Sequence, residues 1–456
     1  MEGRTMHMSS TLIALFSVFF FHITQPSVAQ ETRNGSGALV GVHQGQLWRY
    51  GKTYRFVGTN FWYAPILASD GEGGNYQRLC AELDTLNALG INNLRILVGA
   101  QGEHPHQSLV WPTLIPEPNV FNDTLLVGLD RLLFELGQRN MTAVLYLNNA
   151  WEWSGGYGKY LEWAGQPTAP DPTLDGYHKY VSYVSRFATN ERAQQLFLDD
   201  VQAIISRTNS VTGLPYSKDK AIMAWQVCNE PRPFSIDSLT IKGFTQWLRA
   251  TTALIRRLDP NHLISLGSEG RVGCEGELSL YEELHNDANV DYLTIHVWPM
   301  NWGWLTRQQM QADCEGQDSV TMQKVKRLTR EYIEEHAAIA ERLRKPIVLE
   351  EFGYSRDGLS FDLSSTTKAR NSYYQFVLDL PHSMPALCGI NFWAWSGFAH
   401  PSHERWQRGD DYCGDPPQEE QGLFSVFLSD SATIGIIRNA VLGLRSTNHS
   451  CNLSDK

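Results

Sequence analysis

The stretch AIMAWQVCNEPRP, residues 221–233, is a nearly continuous apolar run that ends on an amide and an acid side by side, Asn229 and Glu230, and is stopped by Pro231. A strand buried on both faces reads as a short apolar run, so a carboxylate at its tip is either solvated at a loop mouth or held there for chemistry. A second run, PIVLEEFG at 346–353, closes on Glu350 and Glu351. Other strand-like runs end on Arg95, on Asn148 and Asn149, on His296 and Trp298, and on Trp393 and Trp395. Singly, each has a bland reading: a solvated loop acid, a structural ion pair or a core indole. Together they outweigh it, because chance rarely gathers two carboxylates, a guanidinium, an imidazole and several indoles at one rim. Two carboxylates on facing strands, one to protonate a leaving oxygen and one to attack an anomeric carbon at roughly 5 to 5.5 Å, are what glycosidic bond cleavage requires. Indole faces stack on sugar rings, and the 14 Trp of the chain suit a polysaccharide cleft.

The elements that must bring these residues together are eight candidate strands, at 54–63, 92–99, 142–151, 221–230, 262–270, 291–298, 346–353 and 388–397. Between them lie stretches such as YQRLCAELDTLNALG and VKRLTREYIEEHAAIAERLRK, whose apolar residues recur every three or four positions. Eight strands alternating with helices predict an α/β fold of the (β/α)8 TIM-barrel type, with functional residues at the carboxyl ends of the strands and long βα loops above them. No glycine-rich phosphate loop follows the first strand, which argues against an open doubly wound sheet. The segment ALVGVHQGQLWRYGKTYRF before that strand reads as a β-hairpin plugging the barrel bottom. No internal repeat or low-complexity linker divides the chain, so residues 30–456 are read as one catalytic domain.

The chain of 456 residues carries a formal net charge of -11, which argues against nucleic acid or an anionic membrane as partner, since both select basic patches. Residues 1–29 read as a secretory signal peptide, with Arg4, the apolar core TLIALFSVFFF and the small-residue site SVA. The core is too short to span a bilayer comfortably, so a secreted, extracellular protein acting as a monomer is expected. Sequons at Asn34, Asn122, Asn140, Asn448 and Asn452 suit export. The seven cysteines, in no zinc-like spacing, predict disulfides with at least one thiol left over. Cys228, inside an apolar run, is the expected free one.

WQVCNEP at 225–231 resembles the Asn-Glu-Pro signature of glycoside hydrolase family 5, and VLEEFG at 348–353 resembles its Glu-x-Gly nucleophile strand. Arg95, the histidine of TIHVW and the tryptophan of FWAW fall in the family's order and spacing, so the resemblance covers almost the whole mature chain. It implies that Glu230 is the general acid/base and Glu351 the nucleophile of a retaining mechanism, with no cofactor and no metal. Glu350 competes for the second role, but adjacent strand residues point to opposite sides, and only Glu351 sits two places before the glycine. Asn229 would bind the sugar 2-hydroxyl, Arg95 would hold Glu351 ionised, His296 would orient the acid/base or the sugar, and Trp393 would floor the reacting subsite. Alternation cannot turn both Asn229 and Glu230 inward, so the strand must bend or end there. Many family members carry His-x-Tyr where this chain has His296-Val297-Trp298; an indole N–H donates but cannot accept.

LNNAWEWSGGYGKYLEWAG at 147–165 is similar to the third-strand loop of endo-β-1,4-mannanases, and FVGTNFWYA and NFWAWSGFAHP are similar to that group too. Trp151, Trp153, Trp62 and Tyr63 would then line sugar subsites, with packing of a long loop as their alternative role. A β-mannan polysaccharide is the implied substrate. The rival readings are an endo-β-1,4-glucanase of the same family, a carbohydrate-binding protein on an inactive barrel and, further off, a phosphate-binding barrel enzyme.

Overall fold

All eight predicted strands form, each shorter than its apolar run. They are β4 (Phe56–Asn60), β5 (Asn93–Leu97), β6 (Thr142–Tyr146), β7 (Ile222–Gln226), β8 (Leu263–Ser265), β9 (Leu293–Val297), β10 (Ile347–Phe352) and β11 (Leu387–Phe392). Every residue in them is buried, as strands covered on both faces must be. This computed structural model describes residues 37–102, 109–312 and 319–451, without the side chains of 445–451. The expected signal segment, Asn34, Cys314 and Asn452 lie outside the described residues.

The sheet order is β8-β7-β6-β5-β4-β11-β10-β9, and every pairing is parallel. Its two edges meet through hydrogen bonds outside the regular ladder. Asp291 N–H donates to the Ile264 carbonyl, Ile264 N–H donates to Asp291 Oδ2, and His296 N–H donates to the Glu269 carbonyl. The result is a (β/α)8 barrel, with helices such as Tyr76–Leu89, Asp123–Gln138, Ser238–Leu258 and Val320–Leu343 outside it. Side chains that the sequence places just before the helices cap them: Asn75, Asn122, Asp237 and Ser319 each accept N–H bonds from the first turn. Asn122 thus uses its carbonyl oxygen as a cap while belonging to a sequon.

Below the strands, β1 (Gly41–His43), β2 (Gln46–Arg49) and β3 (Lys52–Thr53) make a small antiparallel sheet. Val40 and Leu47 from this sheet's segment share a buried cluster with the inward residues Phe56, Val144, Met223, Leu263, Val348 and Cys388. The amino end of the barrel is therefore plugged with apolar side chains, and polar chemistry is left to the other end. Cys228 is a free thiol, but so are Cys80, Cys274, Cys388 and Cys413. The disulfide framework expected of an exported chain is thus missing from these five. Four of them are buried, and Cys413 Sγ lies against Gln421 Oε1 rather than another sulfur.

Candidate active site

At the carboxyl end of β7 the backbone leaves the sheet at Gln226, and Asn229 and Glu230 follow in an irregular turn. Glu230 sits in the left-handed region at φ 51°, and its N–H donates to the Gly267 carbonyl at 3.0 Å. A Cβ on Gly267 would lie 1.9 Å from the Cys228 carbonyl oxygen, so only glycine lets the two segments approach this closely. That bend resolves the conflict with alternation: both Asn229 and Glu230 reach the site.

The second carboxylate arrives from β10. Facing β9, Leu349 pairs with Ile295, but Glu351 pairs with His296, so Glu350 is an extra residue in a β-bulge. The expectation that Glu350 and Glu351 point to opposite sides is therefore corrected. The bulge breaks the two-residue period, and both carboxylates lie inside the barrel, Glu351 at the rim and Glu350 beneath it. Donor atoms of Glu230, His296 and Glu351 all lie within 4.8 Å of one another. Such a trio has the spacing of a metal site, yet a guanidinium against Glu351 and a charged imidazole beside it oppose a further cation.

Arg95 is fully buried on β5 and is the hub of the site. Its Nη1 donates to Glu351 Oε1 and to Asn60 Oδ1, its Nη2 to Asn229 Oδ1 at 2.8 Å, and its Nε to Gln226 Oε1 at 2.8 Å. His296 Nδ1 lies 2.7 Å from Glu230 Oε1 and 3.4 Å from Glu351 Oε2. Burial by itself would favour the neutral imidazole, but the charge of Glu351, the hydrogen bond to Glu230 and the charge of Glu350 3.9 Å away outweigh it and raise the His296 pKa to about 10. Trp298 Nε1–H donates to Glu351 Oε2 at 3.1 Å, so the indole stands where family relatives were expected to place a phenol. Trp151 Nε1–H donates to Glu230 Oε2.

These groups open into a cleft of about 660 Å³ lined by Trp151, Trp153, Asn229, Glu230, Trp298, Glu351 and Trp393, among others. Its walls come from loops that single-residue reasoning did not reach. Asn301, Trp302 and Trp304 follow β9; Arg232 stacks over Trp151 at 5.2 Å and is paired with Glu269. Gln418 and Glu419 come from the loop after β11, which is folded around the buried Asp415. That carboxylate accepts from Gly422 N–H, Phe424 N–H and Ser425 Oγ. Gln418 Oε1 and Glu419 Oε2 are enclosed and have no partner. Burial pushes the Glu419 carboxyl well above its usual range, helped by the charges of Asp415, Glu420 and Glu351.

Trp62 and Tyr63, expected in sugar subsites, are placed elsewhere, and so is the strand-end Trp395. Trp62 is buried away from the cleft, donating to the Gly414 carbonyl at 2.9 Å, and Trp395 is buried with its N–H on Glu82 Oε2 at 2.8 Å. Tyr63 donates to the Trp395 carbonyl. Trp62 and Tyr63 tie the end of β4 to the loop after β11, the packing role that was their alternative, and Trp395 ties that loop to Glu82 of helix Tyr76–Leu89.

A parallel eightfold barrel with two carboxylates this close at the carboxyl ends of its strands, beneath an aromatic wall, defines a glycoside hydrolase. The family described as GH family 5 beta-mannosidase-like matches residues 38–448, and the chain belongs to it. The glycoside hydrolase family 5 mannosidase of Rhizomucor miehei superposes with a TM-score of 0.81 at 29% identity, covering 91% of this chain and 99% of that one. A variant of it in complex with mannosyl-fructose gives 30% identity with the same score and coverage. Mannan endo-1,4-beta-mannosidase 1 of Arabidopsis thaliana is 25% identical over 369 residues, 78% of this chain and 81% of its own. The endo-1,4-beta-mannanase of Rhizomucor miehei shares the fold, with a TM-score of 0.64 at 21% identity over 90% of this chain and 99% of that one.

Proposed function

We propose that the protein is an exported, retaining endo-β-1,4-mannanase that hydrolyses mannan, glucomannan or galactomannan, with Glu230 as acid/base and Glu351 as nucleophile. The observation that carries the mechanism is the closeness of the two carboxylates. Donor oxygens within 4.8 Å fit a direct attack by one of them, whereas an inverting pair needs roughly 6.5 to 9.5 Å to admit a water. The assignment of roles follows from their surroundings. Three N–H-bearing groups, Arg95, Trp298 and His296, turn toward Glu351, which suits an anionic nucleophile. Glu230 sits at the loop mouth between His296 and Trp151, where a leaving oxygen would pass. Asn229 would meet the 2-hydroxyl, Trp393 would floor the reacting subsite, and Trp151 and Trp153 would stack on neighbouring sugars.

The N-terminal 29 residues support export as a signal peptide preceding one catalytic domain, and the family likeness to mannan-degrading enzymes agrees with it. Among the described residues no helix is long and apolar enough to cross a membrane.

Mannose differs from glucose in its axial 2-hydroxyl. A site that hydrogen-bonds a substrate hydroxyl rejects the analogue that lacks the match far more than an apolar pocket rejects a methylene. Mannohexaose is therefore expected to be cut internally, mainly to mannobiose and mannotriose, with cellohexaose cut at least about a hundredfold more slowly in kcat/KM. Comparable values on the two hexasaccharides would leave only the family assignment standing. A second reading, attack at the chain end, is favoured by the higher structural likeness to a mannosidase than to an endo-mannanase of the same fungus. Enclosed, unpartnered oxygens of Gln418 and Glu419 on the cleft wall suit the hydroxyls of a terminal sugar. Mannose as the sole early product from mannohexaose would select that reading.

The indole at position 298 has its own test. Trp298→Phe keeps the ring and removes an N–H bond to a charged group, an interaction worth roughly 1.5 to 3 kcal/mol. Loss of kcat on the order of 10- to 100-fold with little change in KM is expected. A raised KM with intact kcat would make Trp298 a stacking platform only.

A further inference from the structure

The bulge in β10 buries a third carboxylate in the barrel that the two-carboxylate reaction does not by itself use. Glu350 is 1% exposed. Its Oε2 accepts from Gln226 Nε2 at 2.6 Å and lies 3.7 Å from Arg95 Nε and 3.9 Å from His296 Nε2, while its Oε1 accepts from the Tyr292 hydroxyl at 3.3 Å. The same two cations reach upward to the catalytic pair, Arg95 to Glu351 and His296 to Glu230. His296 Nε2 has no hydrogen-bond partner, and Glu350 is the charge it faces. A carboxylate this deep is costly to ionise unless fixed charges compensate it, and its place beside Arg95 and His296 points to a task tied to those cations.

The charge balance suggests the task. Arg95 and His296 supply two positive charges, and Glu350 and Glu351 two negative ones. Glu230, which alternates between acid and carboxylate, then works inside an otherwise neutral cluster. Without Glu350 the acid form of the site would carry an uncompensated cation, and His296 would tend to give up its proton. A neutral imidazole with a bare Nδ1 would accept the Glu230 O–H proton at 2.7 Å and draw it away from the leaving oxygen. A cationic imidazole can only donate. When Glu230 protonates the leaving oxygen, its new carboxylate stays bonded to His296 Nδ1–H; when the glycosyl-enzyme is hydrolysed, Glu230 takes its proton from the attacking water.

We propose that Glu350 is a positioning residue of this reaction, the fixed counter-charge that keeps His296 cationic and Arg95 in register while Glu230 gives up and regains its proton. The proposal rests on the Glu230 and Glu351 assignment. The groups around Glu350 and His296 are Arg95 on β5 with Tyr146 of β6 under its guanidinium, Gln226 on β7 and Glu230 beyond it. Glu269 after β8 is paired with Arg232; Tyr292 precedes β9, and Glu351 adjoins on β10. Among these, Glu350 is the carboxylate that faces both cations from below.

The test is the pH profile of kcat/KM on mannohexaose for Glu350→Gln and Glu350→Asp. An opposite charge within about 4 to 6 Å shifts a titration by 1 to 3 units. The Gln variant, which loses the charge and keeps the shape, should therefore move its alkaline limb about one unit or more toward lower pH. The Asp variant should lose kcat through imperfect packing but keep the limb in place. Equal losses of kcat in both variants with unmoved limbs would reduce Glu350 to a packing residue and overturn the proposal. Should Glu350→Gln fail to fold, the wild-type protein with ¹³Cε1-labelled histidine, assigned with His296→Gln, still answers by NMR. The imidazolium signal is expected to persist well above the usual histidine range, and a neutral His296 at neutral pH would overturn the proposal. A fully active Glu351→Ala enzyme would sink the catalytic assignment whatever the wild-type His296 signal shows, so the two failures are distinguishable.

Discussion

Replacing Glu351 by Ala is expected to abolish hydrolysis of every β-mannoside, whatever its leaving group, with a loss on the order of 10⁴-fold or more. With Glu351 as the proposed nucleophile, the covalent intermediate cannot form without its carboxylate, and neither neighbour is placed to replace it. Glu350 lies beneath the rim with Gln226 on it, and Asn229 is engaged by Arg95. The loss cannot be blamed on an exposed surface site, since Glu351 holds three cationic or N–H-bearing partners. Circular dichroism should accompany the assay to show that the barrel persists once Arg95 loses that partner. Added azide should restore turnover of an activated aryl mannoside and yield the α-mannosyl azide, because it attacks once, with inversion.

Glu230→Ala should behave differently, although the residue is as close to the bond. With Glu230 as the proposed acid, its absence removes protonation of the leaving oxygen, an effect worth typically about 10² to 10⁴-fold. Mannan and mannohexaose, whose leaving alcohols are poor, should lose turnover by about that factor. An aryl mannoside whose phenolate leaves unaided should still be glycosylated, giving a burst of phenolate and then a slow steady state as the intermediate waits for a general base. Azide should relieve the second step and give the β-azide, since two inversions then occur. A β-azide from Glu351→Ala instead would exchange the two roles.

Much of this arrangement could be read from the sequence, for a physical reason. Strands buried on both faces must be apolar, so each of the eight announced itself, and the polar residue at its end marked the one place where a side chain left the core. The strand ends over-ran because an apolar run does not say where the ladder stops: Val227 and Cys228 are buried like the strand before them, although β7 ends at Gln226. Glu350 was misplaced because a bulge is a property of the pairing between β9 and β10 and leaves no mark in the run PIVLEEFG. The tryptophans divide for a similar reason. Trp151 reaches Glu230, whereas Trp62 and Trp395 are drawn to the Gly414 carbonyl and Glu82, and only the tertiary contacts of the loops decide which. Gln418 and Glu419 were out of reach because their position depends on the turn around Asp415, 3 and 4 residues away.

The double displacement itself is tested most directly by the anomer released first from a β-1,4-mannooligosaccharide, followed by time-resolved proton NMR before mutarotation. Two successive inversions at the anomeric carbon give the β-anomer, and that is the expected signal. Initial release of the α-anomer would contradict direct attack by Glu351 and, with it, the catalytic pair on which the mechanism rests.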